Sequence, residues 1–218
     1  VAVRRGYDGA VIGVISYQTG NSQSVIYALE HLGLECRLVA APEEAGDIDR
    51  FVLPGVGSAG VTMRSLRQRG WVDLLTERVV GDGLPFLGIC VGMQVLFDFS
   101  AEEDTECLGW LPGKVLSFAP HGVRVPQIGW NSVRVVSEHP FVSELPDDSY
   151  VYFVNSYYAT PDRPEDTAAT TDYGIGFTSI VARENVMATQ FHAEKSGPVG
   201  LRLLRRFASL DKDRPGAH

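Results

Sequence analysis

Residues 84–96 read LPFLGICVGMQVL, with Cys90 at the centre. Residues 84–89 form a short apolar run opened by a Gly-Asp-Gly turn at 81–83, the pattern of a buried strand. Gly88 and Gly92 bracket the cysteine, and residues 91–97 are apolar enough to predict a buried helix. Strand, tight turn and helix are the context of a nucleophile elbow, here with Cys in place of Ser. A thiol at a helix N-terminus lies near unpaired N–H groups and the positive end of the helix dipole, and both favour the nucleophilic thiolate. A core cysteine in a Gly turn would look the same, so this stretch alone leaves both readings open.

Working outward, residues 10–16 (AVIGVIS) predict a first strand. After a loop at 17–20, Asn21 or Ser22 caps a helix whose Val25, Ile26, Leu29 and Leu32 share a face and which stops at Gly33. Residues 34–39 and 50–53 are further strands, the latter running into PGVGSAG at 54–60, where the backbone itself can approach a partner. Met63, Leu66, Trp71, Leu74 and Leu75 predict one or two helices before the elbow. This alternation implies an α/β fold: a three-layer, open, mainly parallel sheet with helices on both faces.

Beyond Phe97 the pattern changes. Glu102, Glu103, Asp104 and Glu106 read as a solvated acidic loop. Residues 114–118, 131–136, 150–154, 167–171, 177–183 and 186–191 are short strand candidates separated by turn residues, an antiparallel extension of the sheet. Residues 198–210 close the fold as a helix with Val199, Leu203, Leu204 and Phe207 inward. One domain is expected over 1–218, with frayed ends at 1–9 and 211–218.

Composition narrows the function. The chain carries 19 basic and 27 acidic residues, net charge −8, which argues against a general nucleic-acid or anionic-membrane surface. No apolar run approaches a membrane span, and the first ten residues precede too few apolar residues for a signal segment. Cys36, Cys90 and Cys107 form neither a disulfide framework nor a metal pattern, so no metal or cofactor is expected and a cytoplasmic location is.

A nucleophilic cysteine needs a base, and the base an orienting group. His31 lies on the first helix, His218 in the tail, and His121 and His139 in loop-like stretches. His192 ends an apolar strand in QFHAEKS, and Glu194 follows two places on. On an extended strand those side chains share a face, so the carboxylate can accept the imidazole N–H and set its tautomer. A strand-end histidine with a chance acidic neighbour is the alternative.

GICVGMQ, PGVG and QFHAEKS, in that order on an α/β chain, are far more specific together than singly. With them the sequence resembles the class I, triad-type glutamine amidotransferases, and among these the glutaminase subunits of imidazole glycerol phosphate synthase. VPQIGWN (125–131), YFVNSYY (152–158) and Lys195 favour that branch over sister enzymes that feed other acceptors. The intact Cys90, His192 and Glu194 weigh against a pseudo-enzyme. The resemblance implies that Cys90 attacks the side-chain amide of L-glutamine, that His192 protonates the ammonia and then activates water, and that Glu194 orients it. It implies an oxyanion hole from the Val91 N–H and an N–H of the Gly55–Val56 turn, and glutamine contacts from Gln94, Glu102, Ser156 and Tyr157. It implies a (βα)₈ cyclase as heterodimer partner, facing Asn21, Trp130 and Lys195. Bare residue patterns would equally make these three a helix cap, a partly buried aromatic and a surface cation. Ala193 stands where the family has Pro, and Gln127 and Asn155 stand where histidines are common, which removes any titrating group there. SYQTGNS (16–22) matches the family's first loop loosely.

Overall fold

The structure, a computed structural model, describes residues 9–17 and 21–210. The expected frayed ends, Gly9 apart, and the loop residues 18–20 lie outside that span. Among the described residues one sheet of thirteen strands runs through the molecule. Its parallel half is β1 (Ile12–Ile15), β2 (Cys36–Val39), β3 (Arg50–Gly55), β4 (Phe86–Cys90) and β13 (Val186–Thr189), in spatial order β2-β1-β3-β4-β13. β1, β3, β4 and β13 are buried along their whole length because both sheet faces are covered there, whereas the edge strand β2 keeps Arg37 and Leu38 exposed.

Helix α1 (Ser22–His31) carries the chain from β1 out to β2, whereas α2 (Ala59–Gln68) and α3 (Trp71–Leu75) carry it the other way, from β3 to β4. Right-handed crossovers in opposite directions put these helices on opposite faces, as the alternation predicted. Helix α5 (Gly197–Ser209) packs against α1, with Leu203, Leu204 and Phe207 buried. No helix among the described residues is long and apolar enough to cross a membrane.

The other half is mostly antiparallel: β7 (Gly113–Ser117), β8 (Gln127–Val135), β9 (Ser149–Asn155), β10 (Tyr157–Pro161), β11 (Thr167–Asp172) and β12 (Gly176–Arg183). β12 joins this half to β13. β10 and the two-residue strands β5 (Phe99–Ser100) and β6 (Thr105–Glu106) were not predicted. A two-residue strand has no periodicity to read.

The helix expected over 91–97 is corrected to a single turn, α4 (Val91–Gln94). The carbonyls of Val95, Leu96 and Phe97 instead accept N–H groups of Leu108, Trp110 and Gly109 at 2.9 Å. Residues 95–97 thus pair with a returning segment rather than carrying the chain on into further helical turns. The dipole of one turn is small, so the elbow's effect on Cys90 rests on local N–H groups rather than on a long helix.

Candidate active site

The cavity forms where the carboxyl ends of three neighbouring parallel strands meet. β3 delivers Val56 and Gly57, β4 delivers Cys90, and the chain leaving β13 delivers His192. Crevices outside the carboxyl ends of parallel strands are where open α/β sheets bind ligands. The cavity measures about 270 Å³ and is also lined by Val91, Gln94, Glu102, Pro126, Ser156 and Tyr157. That lies below the ~300–1,000 Å³ that suits drug-sized ligands, and so fits a small one.

Cys90 is 4% exposed and has φ +57°, ψ −110°, a conformation rare for a side-chain-bearing residue. Such strain persists only where surrounding structure over-determines it. Here the glycines do so: a Cβ on Gly92 would sit 1.9 Å from the Leu53 carbonyl oxygen, and one on Gly88 would sit 2.4 Å from the Gly92 oxygen. Both positions require backbone to approach backbone, which explains the G-x-C-x-G spacing. The Cys90 thiol donates to the Val154 carbonyl at 3.8 Å and accepts from Gln190 Nε2 at 3.8 Å.

His192 is 3% exposed, and its Nδ1 lies 2.8 Å from Glu194 Oε1. An ionised carboxylate can only accept, so Nδ1 carries the proton. The strand-alternation argument for this pair is corrected, because Ala193–Lys195 is a short 3₁₀ turn rather than strand. The turn still folds Glu194 under the imidazole. The His192 backbone is held by its N–H on the Tyr152 carbonyl at 3.0 Å and by the Ser196 hydroxyl on its own carbonyl at 2.7 Å. Burial opposes the imidazolium. The hydrogen bonds with Cys90 and Glu194 and the charges of both outweigh it, raising the His192 pKa to about 10.

Asn21 is placed differently from expectation. Its side chain makes no helix-capping bond; Nδ2 donates to Glu194 Oε1 at 2.9 Å, and Oδ1 accepts from the Ser24 hydroxyl at 2.6 Å. Glu194 Oε1 therefore takes two donors, one from the imidazole and one from the start of α1. Asn and Asp are common caps, and nothing in the bare sequence separates that use from this one.

Gln94 is buried, and its Nε2 donates to the Tyr157 carbonyl (3.2 Å) and to Gln190 Oε1 (3.0 Å), which leaves its own Oε1 to face a ligand. Glu102 departs from the solvated reading. It lines the cavity, and its Oε2 accepts the Ala59 N–H at 2.8 Å. Burial raises its pKa, the Ala59 N–H opposes that, and the Glu103 charge adds to it. Glu103 itself pairs with Arg64 on the surface. Gly55 lies one step behind the cavity wall, paired in register with Cys90, while Val56 and Gly57 form the wall. Asn155 lines the cavity with Nδ2 on the Tyr157 carbonyl at 2.9 Å, and Gln127 is its register partner on β8. Trp130 is 56% exposed and packs edge-on against Tyr152, and Lys195 is exposed. Gln190, the first residue of QFHAEKS, is fully buried between Cys90 and Gln94, a placement the sequence pattern does not show.

Residues 14–209 match the family Glutamine amidotransferase class-I. A curated relative, imidazole glycerol phosphate synthase subunit HisH of Dehalococcoides mccartyi, is 46% identical over 92% of this chain and 97% of that protein. The subunit of the same name from Chloroflexus aurantiacus is 43% identical over 90% and 94%. Among solved structures, a glutamine amidotransferase superimposes with TM-score 0.70 at 23% identity, covering 91% of this chain and 97% of that one. PurLQS from Thermotoga maritima does so with TM-score 0.73 at 18% identity, also over 91% and 97%. These two speak for the fold alone. The family match and the curated relatives go further: the chain belongs to the class-I glutamine amidotransferases, in the branch of imidazole glycerol phosphate synthase subunit HisH.

Proposed function

We propose that Cys90, His192 and Glu194 hydrolyse glutamine in this chain, the glutaminase subunit of an imidazole glycerol phosphate synthase of histidine biosynthesis. The observation that carries the assignment is that Cys90 and His192 line one cavity while Glu194 backs the imidazole at 2.8 Å. The thiol proton passes to His192, and the thiolate attacks the glutamine side-chain carbonyl. The imidazolium returns that proton to the departing amide nitrogen as the C–N bond breaks, leaving ammonia and a glutamyl thioester. His192 then takes a proton from water, which cleaves the thioester to glutamate. The raised pKa of His192 keeps the proton taken from the thiol on the imidazole until the amide nitrogen departs.

Gln94 Oε1 and the Glu102 carboxylate supply acceptors for the glutamine ammonium, with Ser156 and Tyr157 beside them. The N–H groups of Val91 and of the Gly55–Val56 peptide supply the oxyanion hole. The acceptor of the ammonia is a (βα)₈ cyclase bound as heterodimer partner over Trp130 and Lys195. The chain works as one amidotransferase domain, in the cytoplasm.

Ammonia release from glutamine tests this, measured for the free chain, the complex with the cyclase, and the complex with its ribulosyl ligand. One missing oxyanion donor costs about 10²–10³ in rate, so a turn set only in the liganded complex predicts a rise of at least about a hundredfold. No glutamine hydrolysis in any of the three states would overturn the assignment.

A further inference from the structure

Gln190 is the first residue past β13, and its side chain is fully enclosed at 0% exposure. The register explains its position. Thr189 pairs with Ile89 across β13 and β4, so the next step along both strands sets Gln190 beside Cys90. Its Nε2 donates to Cys90 Sγ at 3.8 Å, and its Oε1 accepts from Gln94 Nε2 at 3.0 Å. The orientation of this amide is fixed from the far end. Gln94 Nε2 also faces the Tyr157 carbonyl, which can only accept, so Gln94 must point its nitrogen toward Gln190. Gln190 must then present its oxygen to Gln94 and its nitrogen to sulfur. A buried amide costs free energy unless both ends are bonded, and here the two ends bond the nucleophile and a residue of the cavity wall.

We propose that Gln190 is a positioning residue for hydrolysis, holding the Cys90 sulfur and the Gln94 side chain in one frame and directing an N–H at the thiolate. When the thiol proton moves to His192, the sulfur gains a charge that the Gln190 N–H faces, and no proton leaves Gln190. Hydrogen bonding to the charged form favours it, so this amide raises the reactivity of Cys90 near neutral pH. Through Gln94 it also fixes where the substrate head group sits. That substrate half rests on the glutaminase reading, whereas the sulfur half does not.

Two substitutions separate the two ends. Gln190→Glu keeps an acceptor for Gln94 but offers the sulfur no donor, and Gln190→Leu removes both. Alkylation of Cys90 by iodoacetamide in the free chain, mapped by mass spectrometry at pH 6.5, reads the sulfur end without glutamine or cyclase. Both variants should alkylate about tenfold more slowly than wild type, in the range of one lost hydrogen bond to a charged group. In the liganded complex Gln190→Glu should lower kcat with KM within about twofold, while Gln190→Leu should also raise KM about tenfold. A purely structural role would lower the melting temperature and leave alkylation unchanged. Wild-type alkylation rates in a folded Gln190→Glu chain overturn the proposal. Should neither variant fold, the Gln190 side-chain amide resonances of the wild-type chain decide. They should shift when Cys90 is alkylated, and unmoved resonances overturn the proposal. Slow alkylation in the variants of a chain that hydrolyses no glutamine would remove the glutaminase reading and leave the sulfur contact standing.

Discussion

Strand β9 serves two regions with opposite requirements. Toward the cavity its backbone and one side chain complete a buried polar site: the Val154 carbonyl accepts the Cys90 thiol, and Asn155 bonds the Tyr157 carbonyl. Away from it, Tyr150 and Val154 stand with Ile128 and Trp130 of β8 as an exposed apolar ladder, 62%, 37%, 64% and 56% accessible. Buried polar groups need their hydrogen bonds inside the chain, so the first region is dense with short, directed contacts. Exposed aromatic and aliphatic groups gain by being covered, so the second is the kind of surface a partner binds. One strand can do both because successive side chains point to opposite faces. A partner docked on the ladder would cover Val154, whose own carbonyl accepts the Cys90 thiol.

The comparison breaks most sharply at Cys90. Cys90→Ala should lower glutamine hydrolysis at least about 10⁴-fold. The ladder is untouched in this variant, so the complex should still form and still make product from added ammonium. Hydrolysis near the wild-type rate would remove Cys90 as nucleophile. Trp130→Ala addresses the other region. A central exposed aromatic is the residue type that dominates interfaces, and its truncation should weaken cyclase binding at least about 30-fold, roughly 2 kcal/mol. The thermal midpoint of the free chain should hardly move. Unchanged affinity by calorimetry would place the cyclase elsewhere.

Asn21 tests where the boundary between the regions lies. Resemblance places it at the partner surface, and its side chain is also bonded to Glu194, which holds His192 Nδ1. Asn21→Leu should therefore slow glutamine hydrolysis about tenfold, the loss of one hydrogen bond to a charged group, with cyclase affinity within about threefold. The reverse pattern, weak binding and full activity per complex, would return Asn21 to the interface.

What could be read from the sequence alone divides along the same line. Long apolar runs and Gly-bracketed turns announce the parallel strands, and the two glycines around Cys90 announce the elbow because only they allow the backbone contacts at Leu53 and Gly92. Two motifs, GICVGMQ and QFHAEKS, hold the three residues proposed as the triad. The extent of α4 was not legible, since the residues after it, 95–97, pair their carbonyls with the returning segment 108–110. Glu102 hid in an acidic run because charge alone does not tell a solvated carboxylate from one turned onto the Ala59 N–H. The pairing of His192 with Glu194 was anticipated from strand alternation, yet a 3₁₀ turn makes it. Asn21 and Gln190 are ordinary polar residues until tertiary contacts show what their amides touch.

The smallest expected effect concerns the charge on His192. Unfolded, its pKa is near the ordinary 6.5; folded, it rises to about 10, because the hydrogen bonds and charges of Cys90 and Glu194 outweigh burial. The folded state thus binds this proton more tightly than the unfolded state. The resulting stability is fully present below about pH 6.5 and is lost as pH climbs toward 10. Tyrosines and lysines also titrate at the upper end of that range, so the wild-type curve by itself does not isolate His192. Cys90→Ala does isolate it, because it removes one hydrogen-bond partner and one charge from the imidazole and leaves the other titrating groups in place. Its midpoint should fall less steeply between pH 7 and 9.5 than that of wild type. For a chain of this size about 1 kcal/mol corresponds to roughly 2–4 °C. A difference of at least that size should separate the two melting curves at pH 7 and shrink as pH rises. Parallel curves would mean that Cys90 does not help to hold the proton on His192, and that Glu194 alone sets the charge of the base.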